Sequence, residues 1–416
     1  MADNTVTSFG DLLYELRAPM QKNFRKSYPL MAEIERRSPR ELMTGNQVRV
    51  PIVLNPMQGG GNPGETGTVN APIVFNTARA TVTVMDVVQP FSMTIDLDEQ
   101  SVDNASAQAF ALGTTEARNS LAEIINDQFN AQGSLLAQPT SAAGSPGLTM
   151  TLTTAANFDR LYPGRVVDIL TRASGANPGN GLRRKILSFV EASFTVTFDT
   201  NIAAADGNSG NITWTANEGI YIAGTFTAAA NNALASLADV AATSGTFQNL
   251  NKATVAGWQG VDGRGGDVTT KAMSDEILDG AFRRARRNSD FAWEFGVGDP
   301  AVVDLWKQGK YAQVRYDPQN MTLKSGFSGV VYDGEDKPIP LLKDYRSDLG
   351  VFRIIAPSDL KVYGKGGGPD WVDDDGAVGR RFSRTLPKEF WLRDKLQLVA
   401  LRCNRTIQLA NLQRAA

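Results

Sequence analysis

The chemistry open to this 416-residue chain is bounded first by two residue types: there is no histidine, and there is one cysteine, Cys403. Ser-His-Asp and Cys-His catalysis need an imidazole base, and the usual zinc sites draw on several Cys and His ligands. Those sites are excluded in their usual forms, as is any intrachain disulfide. Cys403 lies in "LVALRCNRTIQL", which alternates like a strand, and reads as a small buried hydrophobe. Gly59, Gly60, Gly61, Gly64 and Gly67 crowd into "PMQGGGNPGETGTVNAP" at 56–72. A phosphate-cradling loop needs Lys-Ser/Thr directly after the last glycine and a helix behind it, and a dinucleotide fingerprint needs the helix too. No lysine occurs between Lys26 and Lys185, and a strand-like run follows. "GRGGD" (263–267) and "GKGGGPD" (364–370) lack the same context and read as flexible loops.

Three further groupings remain. Arg283, Arg284, Arg286 and Arg287 close a helical stretch. They read as favourable charge at a helix C-terminus or as a contact for nucleic acid, with no interleaved aromatic platform to stack bases. "DWVDDDG" (370–376) resembles a calcium loop, but with Gly376 in the sixth position Trp371 falls where the first acid belongs. It reads as a solvated acidic turn, with a casual cation as the alternative. Paired carboxylates are the acid–base chemistry left to a histidine-free chain. With 44 acidic residues, nothing in the sequence singles out a pair. No catalytic, cofactor-binding or metal-binding residue is therefore nominated, and no cofactor is expected.

The surrounding elements carry more information. A net charge of −2 gives no global basic footprint, and a hydrophobic fraction of 42% suits a packed core. The length fits two to three domains or one elaborated domain. No apolar run approaches the roughly 20 residues that span a bilayer. "MADNTVTSFGDLL" lacks the basic-then-apolar pattern of a signal peptide, so a soluble intracellular product is expected. Residues 7–37 predict an amphipathic arm, with Phe9, Leu12, Leu13 and Leu16 on one face, an interruption at Pro19, and a second helical piece "PLMAEIERR". "QVRVPIVLN" (47–55) and the run at 73–95 alternate as strands around the glycine-rich segment, predicting a long hairpin that needs a partner surface. Residues 101–133 predict a helix of about 48 Å, capped by Ser101, stopped at Gly133, and striped by Ala109, Phe110, Leu112, Ala117, Leu121, Ile124, Ile125 and Phe129. Short strands and turn signals over 147–225 predict a small barrel or sandwich. Beyond it, Ser274 and Asp299-Pro300 start two helices among irregularly alternating strands, an α+β or mixed pattern.

The order arm, hairpin, long helix, β insertion, mixed region resembles the major capsid proteins of tailed bacteriophages, with the HK-97-like fold. "FAWEFGVGDPAVVDLWKQG" is similar to that family's strand-then-helix step, "LKSGFSGVVYDGEDKPIPLLKDY" to its turn and return strand, and "GTFQNLNKATVAGW" to a loop near the start of its axial region. "GRVVDIL", "RRKILSF" and "FTVTFDT" resemble small barrels inserted in some members.

The resemblance implies an α+β capsid fold divided as N-terminal arm 1–46, E-loop hairpin 47–95, spine helix of the peripheral domain 96–137, inserted β-rich domain 138–227, a mainly axial domain 228–386 and C-terminal strands 387–416. It implies assembly contacts from the E-loop tip (Met57, Gly59, Gly60, Gly61, Asn62, Glu65 and Thr68) and from the arm (Phe9, Leu12, Leu13 and Leu16). The expected product is a non-enzymatic, self-assembling icosahedral shell of hexamers and pentamers around double-stranded DNA. Separate scaffolding, portal and decoration proteins are the expected partners. The expected location is the virion, after synthesis in the bacterial cytoplasm, with no membrane association. The hairpin has no lysine, so the isopeptide crosslink of the best-known member cannot start from it. The alternatives are an encapsulin-type bacterial shell protein and, from another class, a carboxylate-dependent enzyme.

Overall fold

The computed structural model describes residues 29–53, 77–93, 105–130, 134–140, 148–153, 156–178, 181–199, 212, 214–227, 232–287, 293–311, 330–332, 338–372, 379–381 and 388–415. The first part runs through α1 (Pro29–Arg37), β1 (Glu41–Leu42), β2 (Gln47–Val53), β3 (Thr77–Thr83), β4 (Met85–Met93) and α2 (Ala105–Asn130). Six strands follow: β5 (Leu135–Ala137), β6 (Thr149–Thr151), β7 (Val166–Thr171), β8 (Arg184–Val190), β9 (Thr195–Phe198) and β10 (Glu218–Ile222). Next come α3 (Leu237–Ala241), β11 (Thr246–Phe247), β12 (Leu250–Asn251), β13 (Val261–Asp262), α4 (Asp275–Arg286), β14 (Phe295–Gly298) and α5 (Pro300–Tyr311). The remainder is β15 (Val330–Tyr332), β16 (Ile339–Lys343), β17 (Phe352–Ile355), β18 (Leu360–Gly364), β19 (Asp370–Trp371), β20 (Gly379–Arg381), β21 (Lys388–Ala400) and β22 (Ile407–Leu409). The class is mixed α+β.

Three six-stranded sheets organise these elements. In the first, β21 is the spine. Antiparallel β4 follows one of its edges from Met85↔Leu396 to Met93↔Lys388, while β18, β19 and β20 share the other. β1 extends β18 in parallel. α2 lies across this sheet, burying Leu121, Ile125 and Phe129 in a core with Leu396, Leu398 and Val362. In the second sheet every neighbour in the order β5-β10-β7-β8-β9-β6 is antiparallel. Its two ends meet at a bridge between Pro139 and Leu152, with Thr140 N donating to Thr151 O (3.0 Å) and Thr153 N to Gln138 O (2.8 Å). The ribbon thus closes on itself around Val167, Ile169, Ile186, Phe198 and Ile220. The third sheet runs β13-β22-β17-β14-β16-β15 and packs α4 and α5 against Phe352, Ile354 and Leu409.

Local chemistry explains several of these boundaries. Ser274 Oγ accepts from Ile277 N at 3.4 Å, Asp275 and Glu276 occupy the first turn of α4, and arginines occupy its last, each complementing the helix dipole. Asp299 Oδ1 accepts from Ala301 N at 2.9 Å, and Pro300 opens α5, where its missing N–H costs nothing. Three sequence expectations need correction or narrowing. The strand-like run at 73–95 breaks at Val84, whose N–H turns back to Asn46 O (3.1 Å), so β3 and β4 join different sheets. Cys403 is not in a strand: β21 ends at Ala400 and Cys403 opens a 3-10 turn, closed by Thr406 N on Cys403 O (3.0 Å). It is fully buried, and burial pushes its thiol up to about 12. The described part of the long helix is Ala105–Asn130, about 39 Å, while Ser101 and Gly133 lie outside the described residues.

Candidate assembly surfaces

The surfaces with the clearest physical reason to meet another molecule begin with the ribbon β2–β3. The two strands pair continuously from Gln47↔Thr83 to Val53↔Thr77, and among the described strands they pair with no other. The ribbon is anchored from below. Val50, Ala80 and Val82 are buried in the α2 core, with Val48 and Ile52 packed against it. A tight turn between β11 and β12 adds a clamp. Gln248 (φ 51°) and Asn249 (φ 64°) both take left-handed backbone, as a two-residue hairpin turn of this twist requires. Gln248 O accepts from Thr81 N at 3.2 Å. Its carboxamide is oriented with nitrogen on Ala400 O (3.1 Å) and oxygen on Ala400 N (2.9 Å). One turn residue therefore ties β3 to the end of β21. A two-stranded ribbon is marginal alone, and apart from the contacts at Thr81 and Thr83 its edges meet no other described strand, which leaves a template for strand addition.

The exit of the N-terminal segment is a second fixed point. Leu30, Met31 and Ile34 of α1 are fully buried in the same core. Arg37 lies over the Phe295 ring at 5.3 Å and bonds Glu33 (2.5 Å) and Glu294. Arg40 holds Asp394 with both terminal nitrogens, at 2.7 and 3.0 Å, and reaches Glu35 at 3.3 Å.

A buried polar junction joins α2, the closed sheet and the segment after β16. Arg165, just before β7, donates to Asp127 Oδ2 of α2 at 2.6 Å. Arg346 reaches the same oxygen at 3.1 Å and Glu123 at 2.6 Å. Tyr162 sits with its ring 5.6 Å from each of those two guanidiniums, and burial pushes its phenol well above the usual range. Arg160 and Arg353 meet on Asp348, at 3.0 and 2.6 Å. Burial alone would push the Asp348 carboxyl up, but these two cations hold it below its ordinary value. Asn157 Nδ2 donates to Tyr345 O (2.9 Å) and Ser347 O (2.6 Å). The arrangement fixes three bodies relative to one another; it presents no nucleophile beside a base.

The expected contact residues Met57, Gly59, Gly60, Gly61, Asn62, Glu65 and Thr68, and Phe9, Leu12, Leu13 and Leu16, lie outside the described residues. The structure instead brings out what roots the ribbon and the arm: Val50, Ala80, Val82, Gln248, Arg40 and Asp394. The sequence signals for these were the alternation that marks Val50, Ala80 and Val82 and the "GTFQNLNKATVAGW" loop that holds Gln248; Arg40 and Asp394 had none. Of the acidic turn 370–376, Asp370 and Trp371 form β19, and 373–376 lie outside the described residues. Among the described residues no three His, Cys, Asp or Glu side chains gather as a metal site, and no helix is long and apolar enough to cross a membrane.

No family model and no curated protein matches the sequence. Solved structures do match. A chain of the cyanophage A-1(L) capsid asymmetric unit aligns over 92% of this chain and 92% of its own length, at 12% identity and a TM-score of 0.55. More distant are Gordonia phage Cozz, at 10% identity, 91% and 86% coverage and a TM-score of 0.41, and the capsid of a native GTA particle, at 10%, 92% and 90%, and 0.42. At the identity of the cyanophage chain the likeness is one of fold: this chain has the fold of a phage capsid protein, the HK-97-like fold that its sequence resembles.

Proposed function

We propose that this chain is the major capsid protein of a tailed bacteriophage, a non-enzymatic subunit that self-assembles into an icosahedral shell around double-stranded DNA. The observation that carries the reading is the β2–β3 ribbon: rooted by Val50, Ala80, Val82 and Gln248, paired with no other described strand, in a chain with a phage-capsid fold. In this reading the ribbon is the stem of the E-loop (47–95). Its tip residues Met57, Gly59, Gly60, Gly61, Asn62, Glu65 and Thr68 reach a neighbouring subunit. Residues 1–46 form an arm whose Phe9, Leu12, Leu13 and Leu16 do the same. α2 is the spine of the peripheral domain (96–137), the closed sheet is the inserted domain (138–227), and the sheet under α4 and α5 belongs to the axial domain (228–386), with 387–416 returning as C-terminal strands.

The physics suits a shell. Each shared arm turns a weak pairwise contact into avidity across many copies. Head-to-tail contacts close into rings, here hexamers and pentamers. A net charge of −2 limits self-repulsion in a dense layer. Without a lysine in the hairpin, the arm holds by contact alone. Separate scaffolding, portal and decoration proteins would complete a virion made in the host cytoplasm. The test is particle content: particles purified from infected or expressing cells are expected to protect double-stranded DNA from nuclease when the packaging partners are present. Particles that consistently enclose a protein cargo and no DNA would replace this reading with an encapsulin-type shell.

A further inference from the structure

The turn that clamps the ribbon is strained in a way that a tight turn alone does not require. The first central position of such a turn takes left-handed backbone, where glycine or asparagine fits with least strain. Here that position is Gln248 (φ 51°), which carries a Cβ and a long side chain. Strained backbone of this kind persists where its surroundings over-determine it. The surroundings are rigid. Phe247, just before the turn, is buried beside the fully buried Trp258, whose indole N–H donates to Phe247 O at 3.2 Å. Lys252, just after β12, is 1% exposed. Its ammonium donates to Asp239 O (2.6 Å), Val240 O (2.8 Å) and Ala242 O (2.8 Å) at the end of α3, and lies 5.3 Å from the Phe247 ring. Its backbone N–H closes on Gly245 O at 2.9 Å. A cation on the last carbonyls of a helix is favourable, so the turn stands on a fixed base.

Gln248 reaches from that base in two directions. Its backbone O takes the Thr81 N–H of β3 (3.2 Å). Its carboxamide meets Ala400 as a peptide group would, nitrogen on O at 3.1 Å and oxygen on N at 2.9 Å. β4 pairs with β21 no further than Leu396, and beyond it this carboxamide supplies the donor and the acceptor. Gln397 adds a second tie: Nε2 donates to Thr83 O (3.3 Å), and Oε1 accepts from Ala235 N (2.7 Å) in the segment leading to α3. Val50, Ala80 and Val82 seat the ribbon on the core, but apolar contact has no direction and hydrogen bonds do. Resting on the capsid reading, we propose that Gln248 is a positioning residue for the ribbon. Its strained backbone and its carboxamide together fix the direction in which β2–β3 leaves the body, before a neighbouring subunit meets it. An arm fixed beforehand loses less freedom on contact than a loose one, so the pose itself strengthens assembly.

The test is hydrogen exchange on the unassembled full chain, read by mass spectrometry over 47–53 and 77–83, with β4, β21 and α2 as internal references. Gln248→Ala keeps the backbone strain and removes the carboxamide. Gln248→Gly removes both. Asn249→Gly eases the turn and touches neither tie. The ribbon is expected to exchange at least about 10-fold faster in both Gln248 variants, with the reference elements unchanged and Asn249→Gly like wild type. Gln248→Gly should melt above Gln248→Ala, because glycine relieves the turn. Its assembly, read by sedimentation and electron microscopy, should nonetheless stay as poor as that of Gln248→Ala. If Gln248 served the turn alone, Gln248→Gly would assemble like wild type, and that result overturns the inference. So does unchanged ribbon exchange in Gln248→Ala, or acceleration spread evenly over ribbon and references, or equal acceleration in Asn249→Gly. Failure of wild type to form particles would sink the capsid reading instead, while exchange on the unassembled chain decides the positioning role separately.

Discussion

Arg40 grips Asp394 through both of its terminal nitrogens, at 2.7 and 3.0 Å, across 354 positions of sequence. The side chains are 8% and 1% exposed. The pair fills the stretch of β21 between the partners β18 and β19, and so fixes where the N-terminal segment leaves the core. Removing one member leaves a buried charge unmatched, which costs about 3–5 kcal/mol. Arg40→Met or Asp394→Leu alone should show that loss in urea unfolding, while the double replacement should recover most of it. Additive losses in the double variant would show that the two do not act as a pair.

Asp344 gives a pH signature. Its carboxyl is buried, accepts from Asn130 Nδ2 (2.9 Å), and is pushed above its ordinary value by that burial. A carboxyl raised on folding binds more protons in the native state than in the unfolded one, so its contribution to stability falls as pH rises from about 4 through the raised value. The buried Asn126 Oδ1 and Asn130 Oδ1 beside it have no donor among the described residues. Asp344→Asn carries no charge: its oxygen keeps the bond from Arg346 N (2.9 Å), and its Nδ2 replaces Oδ2, where Asn130 turns its amide to present Oδ1 as the acceptor. The variant should gain about 1–3 kcal/mol over wild type at pH 8 and less at pH 4, read from urea midpoints. A variant less stable than wild type at both pH values contradicts the assignment.

Two glycines should respond oppositely to alanine. A Cβ on Gly113 of α2 would rest on the Phe91 ring at 3.4 Å, an ordinary contact, and alanine favours the helix by up to about 1 kcal/mol. A Cβ on Gly260 would fall 2.1 Å from Ala241 O, which is backbone and cannot step aside. Gly113→Ala should raise the melting temperature. Gly260→Ala should lower stability by at least about 1–3 kcal/mol, the usual cost of overpacking. Equal and small effects would mean that α2 and α3 are not seated as described.

Deleting residues 57–70 should leave the subunit folded and abolish or weaken assembly. The ribbon is rooted by Val50, Ala80 and Val82, all outside the deletion. Circular dichroism and thermal melting report folding, and sedimentation reports assembly. Loss of the folded subunit would place the deleted loop in a core.

The elements legible in the sequence are those whose signals are local. Ser274 with Asp275 and Glu276, and Asp299 with Pro300, mark α4 and α5, and period-2 alternation marks β2 and β3. The stripe Ala117, Leu121, Ile125, Phe129 is buried as expected. What failed was decided at a distance. Val84 looks like mid-strand, and only its return to Asn46 sends β4 to β21. Cys403 alternates with its neighbours, yet Leu401 N is taken by Asp359 O (2.7 Å) and the chain turns there. The junction of Asp127, Arg165 and Arg346 spans more than two hundred residues, and among so many acidic and basic residues no local pattern picks out its members.

Shell assembly is what everything else depends on, and it can be seen by eye. The purified full chain would be passed over size exclusion and imaged by negative-stain electron microscopy, across salt and concentration and with scaffolding partner added. Rings of subunits and closed shells are expected. A monomer or dimer that persists under every condition would contradict the capsid reading.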